Sequence, residues 1–130
     1  MSYLRPLGVA FPLLLSACLT KATPPHAAPV VDSVSMPATA SIGADGLYDL
    51  NGTISFHGDN VAVSTIHVSS AALGADYRIN GTGAVKAVNA QLTVNFPANN
   101  PIGTSGAYDI SVIDDSGMES TPVSETVTLQ

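Results

Sequence analysis

The chain has 130 residues, of which 45% are apolar, 11% charged and 5% aromatic, with no Trp and a single Cys. At about 100–200 residues per domain, this length accommodates one domain. The apolar fraction excludes a disordered chain, and the low charge excludes a coiled coil. Four basic against ten acidic side chains give a net charge of −6, which argues against nucleic acid or an anionic lipid surface as the main partner.

The first 17 residues have the pattern of a signal peptide. Arg5 supplies a positive charge, and the apolar run that ends at Leu15 is shorter than the roughly 20 residues that a membrane-spanning helix needs. The sequence Leu15-Ser16-Ala17-Cys18 then resembles the lipobox of bacterial lipoproteins, whose cysteine is acylated and becomes the first mature residue. An ordinary secretory peptide that happens to carry a Cys, or a short core helix, is the alternative.

The lipobox resemblance implies a partner and a location for the chain. Residues 1–17 would be removed, and the acyl chains on Cys18 would hold the protein on a membrane, at about 0.8 kcal/mol per buried methylene. The expected location is the bacterial cell envelope, at the outer membrane if the organism has two membranes, because Leu19 rather than Asp follows the cysteine. A lone Cys makes no internal disulfide.

Residues 18–29 are predicted to be a lipidated, Pro-rich linker. Three of its residues are Pro, which favours an extended spacer with a reach of roughly 30 Å. His26 stands alone in this stretch and is interpreted as a solvated linker residue.

From Val30 onward, apolar and polar residues alternate with a period of two, which is typical of half-buried strands. The alternation is clearest over residues 48–57, 91–96, 108–112 and 123–129, and weaker β signals lie at 30–36, 61–68, 76–80 and 84–88. The inward positions of the clear strands form the predicted core, which includes Leu50, Ile54, Phe56, Leu92, Val94, Phe96, Ile110, Val112 and Val127.

Turn-forming residues separate these strands at 43–46, 58–60, 80–83, 97–101 and 114–117. Asn80-Gly81 is the strongest hairpin signal among them, because both residues tolerate positive φ. Seven or eight short strands in about 100 residues predict an all-β fold, an antiparallel two-sheet sandwich over residues 30–130.

The segment from Gly106 to Gly117, followed by the strand over residues 123–129, resembles the last hairpin of bacterial immunoglobulin-like and fibronectin-III-like domains. In that pattern a Tyr opens the penultimate strand and an Asp–Gly turn leads to the final one. The resemblance implies an immunoglobulin-like sandwich over residues 30–130. It also implies a tyrosine corner, in which the Tyr108 hydroxyl bonds backbone near Pro101 to Gly103. The alternative is a core Tyr whose hydroxyl reaches solvent.

The sequence carries no pattern that indicates catalysis. There is no Gly-x-Ser-x-Gly elbow, no phosphate loop and no set of residues with metal-ligand spacing. The three histidines are interpreted as a linker residue and two strand residues, His26, His57 and His67. The chain is therefore predicted not to be an enzyme and to need no cofactor.

The predicted function is a non-catalytic interaction or structural module with an unidentified envelope protein as partner. The resemblance to immunoglobulin-like domains implies that the chain enters the sandwich at the end that carries the loops at 58–60 and 114–117. With a lipid spacer at that end, the loops at 43–46 and 97–105 should face away from the membrane. This loop is nearly free of charge, and four of its polar residues are the candidate contacts: Asn99, Asn100, Thr104 and Ser105.

A ligand-binding or calcium-binding sandwich is the alternative function. Oxygen ligands from loops can hold Ca²⁺, and turn carboxylates occur at Asp45, Asp59, Asp114 and Asp115. Asp is also favoured in turns for backbone reasons alone. Four of the five aromatic residues in the mature chain fall on inward positions, which leaves Tyr77 as the candidate exposed ring for a ligand.

Overall fold

The computed structural model describes residues 26–130, and at residues 81–84 it describes the backbone alone. The predicted signal peptide, Cys18 and most of the predicted linker lie outside these residues. In the part that is described, no helix is long and apolar enough to cross a membrane.

The described chain folds into eight strands with no helix, which confirms the all-β prediction. Their bounds are β1 (Val30–Ser35), β2 (Thr39–Ile42), β3 (Tyr48–His57), β4 (Val63–Ser70), β5 (Ala75–Ala84), β6 (Val88–Phe96), β7 (Ser105–Asp114) and β8 (Val123–Leu129). Each clear alternating segment of the sequence lies within one of these strands. Of the weaker signals, three correspond to β1, β4 and β5. The fourth, at residues 84–88, is wrong as a strand, because residues 85–87 form the turn between β5 and β6.

The strands form two facing sheets with an immunoglobulin-like order. In the first sheet β3 pairs with β1 and β6, and in the second the order is β8-β7-β4-β5. Strand β2 joins the sheets, because it pairs with the start of β3 and also with β8. The β2–β8 pairing is parallel, whereas the sequence predicted a wholly antiparallel sandwich. It is parallel because β2 continues β1 in direction and crosses to the opposite sheet.

The core lies between the sheets and confirms the predicted strand parity. All nine residues predicted for the core are at most 3% exposed. Phe96 from the first sheet and Tyr108 from the second meet edge to face, with ring centroids 5.3 Å apart. The core also contains Val63 and Val68 from a weaker segment, and Leu73 from the turn between β4 and β5.

The hairpin predicted at Asn80-Gly81 is wrong. Strand β5 continues through these residues to Ala84, and the turn to β6 lies at residues 85–87. Pairing with β4 explains the difference, because Thr65 faces Asn80 while Val63 faces Ala84. Residues 81–83 therefore bulge opposite one residue of β4, and ladder pairing on both sides of the bulge overrides the local turn preference.

The tyrosine corner predicted for Tyr108 is also wrong. Its side chain is 1% exposed and its hydroxyl has no hydrogen-bond partner among the described residues, so it reaches neither backbone nor solvent. Burial raises the pKa of Tyr108 to about 12. The loop before β7 instead bonds Tyr48, whose hydroxyl donates to the Asn100 carbonyl at 2.9 Å. The Tyr108 ring packs edge to face on Phe96 within the core.

Because the Tyr48 hydroxyl is hydrogen-bonded and the Tyr108 hydroxyl is not, replacing each Tyr by Phe should affect the free energy of unfolding differently. Tyr108→Phe should leave the free energy of unfolding unchanged or raise it, because it removes an unpaired buried hydroxyl. Tyr48→Phe should cost about 1 kcal/mol, because it removes a hydrogen bond. Urea denaturation of both variants measures the difference. A loss of about 1 kcal/mol or more in Tyr108→Phe, with none in Tyr48→Phe, would contradict this prediction and support a tyrosine corner at Tyr108.

Candidate functional site

The strand directions sort the connections onto two ends of the sandwich, as predicted. The basal end holds the chain entry (26–29), the β3–β4 loop (58–62), the β5–β6 turn (85–87) and the β7–β8 loop (115–122). The distal end holds the β2–β3 turn (43–47), the β4–β5 turn (71–74) and the β6–β7 loop (97–104). The candidate contact loop therefore lies opposite the chain entry.

Asp114 organises the basal end. Its Oδ1 accepts hydrogen bonds from the Ser116 amide at 2.9 Å, the Ser116 hydroxyl at 2.6 Å and the Met118 amide at 3.0 Å. Burial acts to raise the pKa of Asp114, but the bonds from Ser116 and Met118 and the contact with His26 outweigh it, so the pKa is lowered. A charged carboxylate thus holds the turn after β7.

The interpretation of His26 as a solvated linker residue is wrong. Its Nε2 lies 3.2 Å from Asp114 Oδ2 and 3.2 Å from the Ser116 hydroxyl. The next amide, of Ala27, donates to Asp59 Oδ2 at 2.7 Å. No local pattern signals these contacts, because His26 and Asp114 are 88 positions apart. The end of the predicted linker is therefore part of the fold.

Three of the four turn carboxylates considered for Ca²⁺ are engaged in hydrogen bonds. Asp45 accepts the Leu47 amide at 3.0 Å, Asp59 accepts the Ala27 amide, and Asp114 holds its own turn. Asp115 is exposed. Across residues 26–130, no three His, Cys, Asp or Glu side chains are placed to hold a metal ion. The hydrogen bonds of Asp45 and Asp114 are the local backbone contacts that favour Asp in turns, whereas that of Asp59 reaches the chain entry.

The four candidate contact residues of the distal end divide into two groups. Asn100 donates to the carbonyls of Leu73 and Pro97, at 3.0 and 2.9 Å, and the Thr104 hydroxyl donates to the Pro101 carbonyl at 2.6 Å. The Ser105 hydroxyl lies 2.8 Å from that of Thr128 on β8. Asn99 is exposed at the loop tip. Three residues of the set therefore shape the loop, and Asn99 faces solvent.

The distal end also exposes apolar side chains that the sequence analysis did not single out. Ile102 in the β6–β7 loop is 72% exposed, the largest value among the large apolar side chains of the described chain, and Ile42 is 49% exposed. Leu47 and Pro97 border a shallow depression of about 400 Å³ at the seam between β5 and β6. No local sequence pattern reveals these exposed apolar residues as a group, because they come from separate stretches of the chain.

Tyr77 also lines this depression, but it is not the exposed ring that the sequence predicted. It is partly buried against the core, and its hydroxyl accepts the Asn95 amide of β6 at 2.8 Å. Burial raises the pKa of Tyr77, against the lowering effect of that bond. The ring thus closes the seam between the two sheets instead of offering a free face to a ligand.

A polar cluster lies on the outer face of the second sheet, centred on His67. The Nε2 of His67 is 2.8 Å from Asp76 Oδ1, its Nδ1 is 3.1 Å from Glu119 Oε2, and the Ser111 hydroxyl donates to the same Glu119 oxygen. Nucleophilic catalysis needs the hydroxyl to bond the imidazole. Here Ser111 bonds the carboxylate, so the cluster lacks an activated nucleophile.

The His67 cluster predicts a pH dependence of stability. The hydrogen bonds to Asp76 and Glu119 raise the pKa of His67 above its ordinary 6.5, so its stabilisation is complete below that pH and is lost as pH rises through the raised value. The bonds from Ser111 and His67 lower the pKa of Glu119 below 4.5, so its stabilisation is lost as pH falls through the lowered value. The cluster should stabilise most at about pH 5–6.

Denaturant melts from pH 4 to 8 on His67→Gln and wild type measure this contribution. His57→Gln is the matched control, because His57 contacts a single carboxylate, that of Asp32, on the other sheet. The wild type should lose stability relative to His67→Gln as pH rises past 6.5, and His57→Gln should follow the wild type. Parallel curves for all three proteins would contradict the assignment.

The chain was compared with family models, curated proteins and solved structures. No family model and no curated protein matches the chain. Among solved structures, the chain is similar to the PKD domain of an M14-like peptidase from Thermoplasmatales archaeon SCGC AB-540-F20. The identity is 17% and the TM-score 0.49, over 83% of this chain and 98% of that one. The immunoglobulin-like assignment depends on the strand order and register described above.

Proposed function

We propose that the protein is a lipid-anchored envelope protein whose immunoglobulin-like domain is a non-catalytic interaction or structural module. The observation that carries the interaction role is the exposure of Ile102, 72% accessible, at the end opposite the chain entry. Removing such a side chain from water on binding is favourable by about 25 cal/mol per Å².

The geometry of the distal end supports a contact between proteins. Ile42 and Leu47 flank the β2–β3 turn, and the bond from Tyr48 to the Asn100 carbonyl ties the following strand to the loop that carries Ile102. The apolar side chains are thus presented on loops that internal hydrogen bonds hold in place. A preformed surface loses less conformational freedom on binding than a flexible one.

The membrane anchor is supported by the sequence. The Leu15-Ser16-Ala17-Cys18 pattern matches the lipobox, and two or three acyl chains hold a protein on a membrane without help from the polypeptide. Mass spectrometry of membrane-extracted protein should show a mature chain that starts at an acylated Cys18. A soluble chain that is cleaved elsewhere would overturn the anchor.

Photo-cross-linking in native membranes tests the interaction role. A cross-linker at Asn99 should capture a discrete partner, and Ile102→Ser should reduce that capture at least several-fold. Met118→Ser is the matched control, because Met118 is also exposed, at 38%, but lies at the basal end. Capture through Asp59 or Asp115 alone would refute the distal contact, and turnover of an envelope substrate by the purified protein would refute the non-catalytic role.

A further inference from the structure

The four residues before β1, His26 to Pro29, are here called the strap. Both ends of the strap are held against the domain. At its start, His26 contacts Asp114 and Ser116, and at its end Pro29 is buried and leads directly into the pairing of Val30 with His57. Proline fixes its own φ, which stiffens the exit from the strap.

The strap lies across two separate loops of the basal end. The Ala27 amide donates to Asp59 in the β3–β4 loop, whereas His26 contacts the β7–β8 side. The two loops are themselves joined, because the Asp115 amide donates to the Ala62 carbonyl at 2.9 Å. A chain held at two loops and at its junction with β1 does not swivel freely about Pro29.

The strap shortens the part of the chain that links the domain to Cys18. Eight peptide units separate Cys18 from His26, and at 3.3–3.6 Å per residue they span at most about 29 Å. The distal end lies farther out by the length of β3, whose ten residues span about 33 Å. The linker from Cys18 therefore reaches the domain at its basal end.

We propose that the strap orients the domain, holding the basal end toward the membrane and presenting the distal apolar surface to a partner away from it. The membrane part of this inference rests on the proposed lipid at Cys18, whereas docking of the strap does not. Asp59 and Asp115 disfavour direct contact of the basal loops with anionic headgroups. The strap contacts, and not headgroup binding, then determine the orientation.

Amide hydrogen exchange on the full chain tests whether the strap is docked. The strap-release variant is His26→Ala with Asp59→Ala, and the Ala27 amide should exchange at least ten-fold faster in it than in wild type. The matched control is His67→Ala with Asp76→Ala, which removes a His–Asp contact of 2.8 Å on the outer face of the second sheet, away from the strap. Equal Ala27 exchange in wild type and the strap-release variant would overturn the inference.

Energy transfer in liposomes tests the orientation. A donor dye at Asp115→Cys or at Asn99→Cys is paired with an acceptor lipid in the bilayer, and acylation of Cys18 leaves the introduced thiol as the one to label. Transfer should be several-fold stronger from position 115, and the ratio should fall toward one in the strap-release variant. A ratio that the release does not change would overturn the orienting role.

The two measurements separate this inference from the proposed function. A chain without acylated Cys18 would show no transfer from either position, which would defeat the membrane anchor and the orienting role. The exchange of the Ala27 amide would still report whether the strap is docked.

Discussion

Phe96→Ala is expected to lower the free energy of unfolding by about 3–5 kcal/mol, enough to unfold a domain of ordinary stability. Phe96 is fully buried, pairs with Tyr48 at the end of the β3–β6 ladder and packs edge to face on Tyr108. Truncation removes apolar contact from both sheets and leaves a cavity where they meet. Denaturant unfolding followed by circular dichroism measures the loss.

Gln91→Ala is the control for this substitution, because Gln91 is an exposed residue of the same strand. Its effect should stay within about 0.5 kcal/mol. Phe56→Ala, in the neighbouring strand β3, should resemble Phe96→Ala, since Phe56 is 2% exposed. Neutral behaviour of both Phe variants would mean that the inward and outward faces of β3 and β6 are interchanged.

Asp114→Ala is expected to cost about 2–3 kcal/mol, the second largest effect. The variant removes a buried carboxylate that accepts three hydrogen bonds, and it leaves the amides of Ser116 and Met118 without their acceptor. Its position beside His26 means that the strap loses a contact as well. Thermal and urea unfolding measure the loss, and hydrogen exchange at Met118 locates it.

Asp115→Ala is the matched control, because it removes the adjacent carboxylate, which is exposed, and should change stability by no more than about 0.5 kcal/mol. The pKa of Asp114 is lowered in the folded protein, so its stabilisation is present above 3.8 and is lost as pH falls through the lowered value. The stability difference between wild type and Asp114→Ala should therefore shrink in acid. Equal losses from Asp114→Ala and Asp115→Ala would contradict the buried role.

The strand alternation alone was enough to identify the fold class and most of the core. In a strand, every second residue lies on the same face. The alternation that places Leu50 inside β3 therefore also places Ile54 and Phe56 inside. The resemblance to immunoglobulin-like domains, and not the alternation, predicted that the loop after β6 lies at the end opposite the chain entry. The strand directions place it there.

The tertiary structure alone decided which polar side chains meet. Asn80-Gly81 favours a turn in isolation, but the register of β4 against β5 carries the strand past it. The register also places His67 between Asp76 and Glu119. The packing of the two sheets leaves the Tyr108 hydroxyl without a partner among the described residues, while the Tyr48 hydroxyl bonds the loop. His26 meets Asp114 across 88 positions. Such contacts depend on strand pairing and loop closure over long separations, which local sequence patterns do not encode.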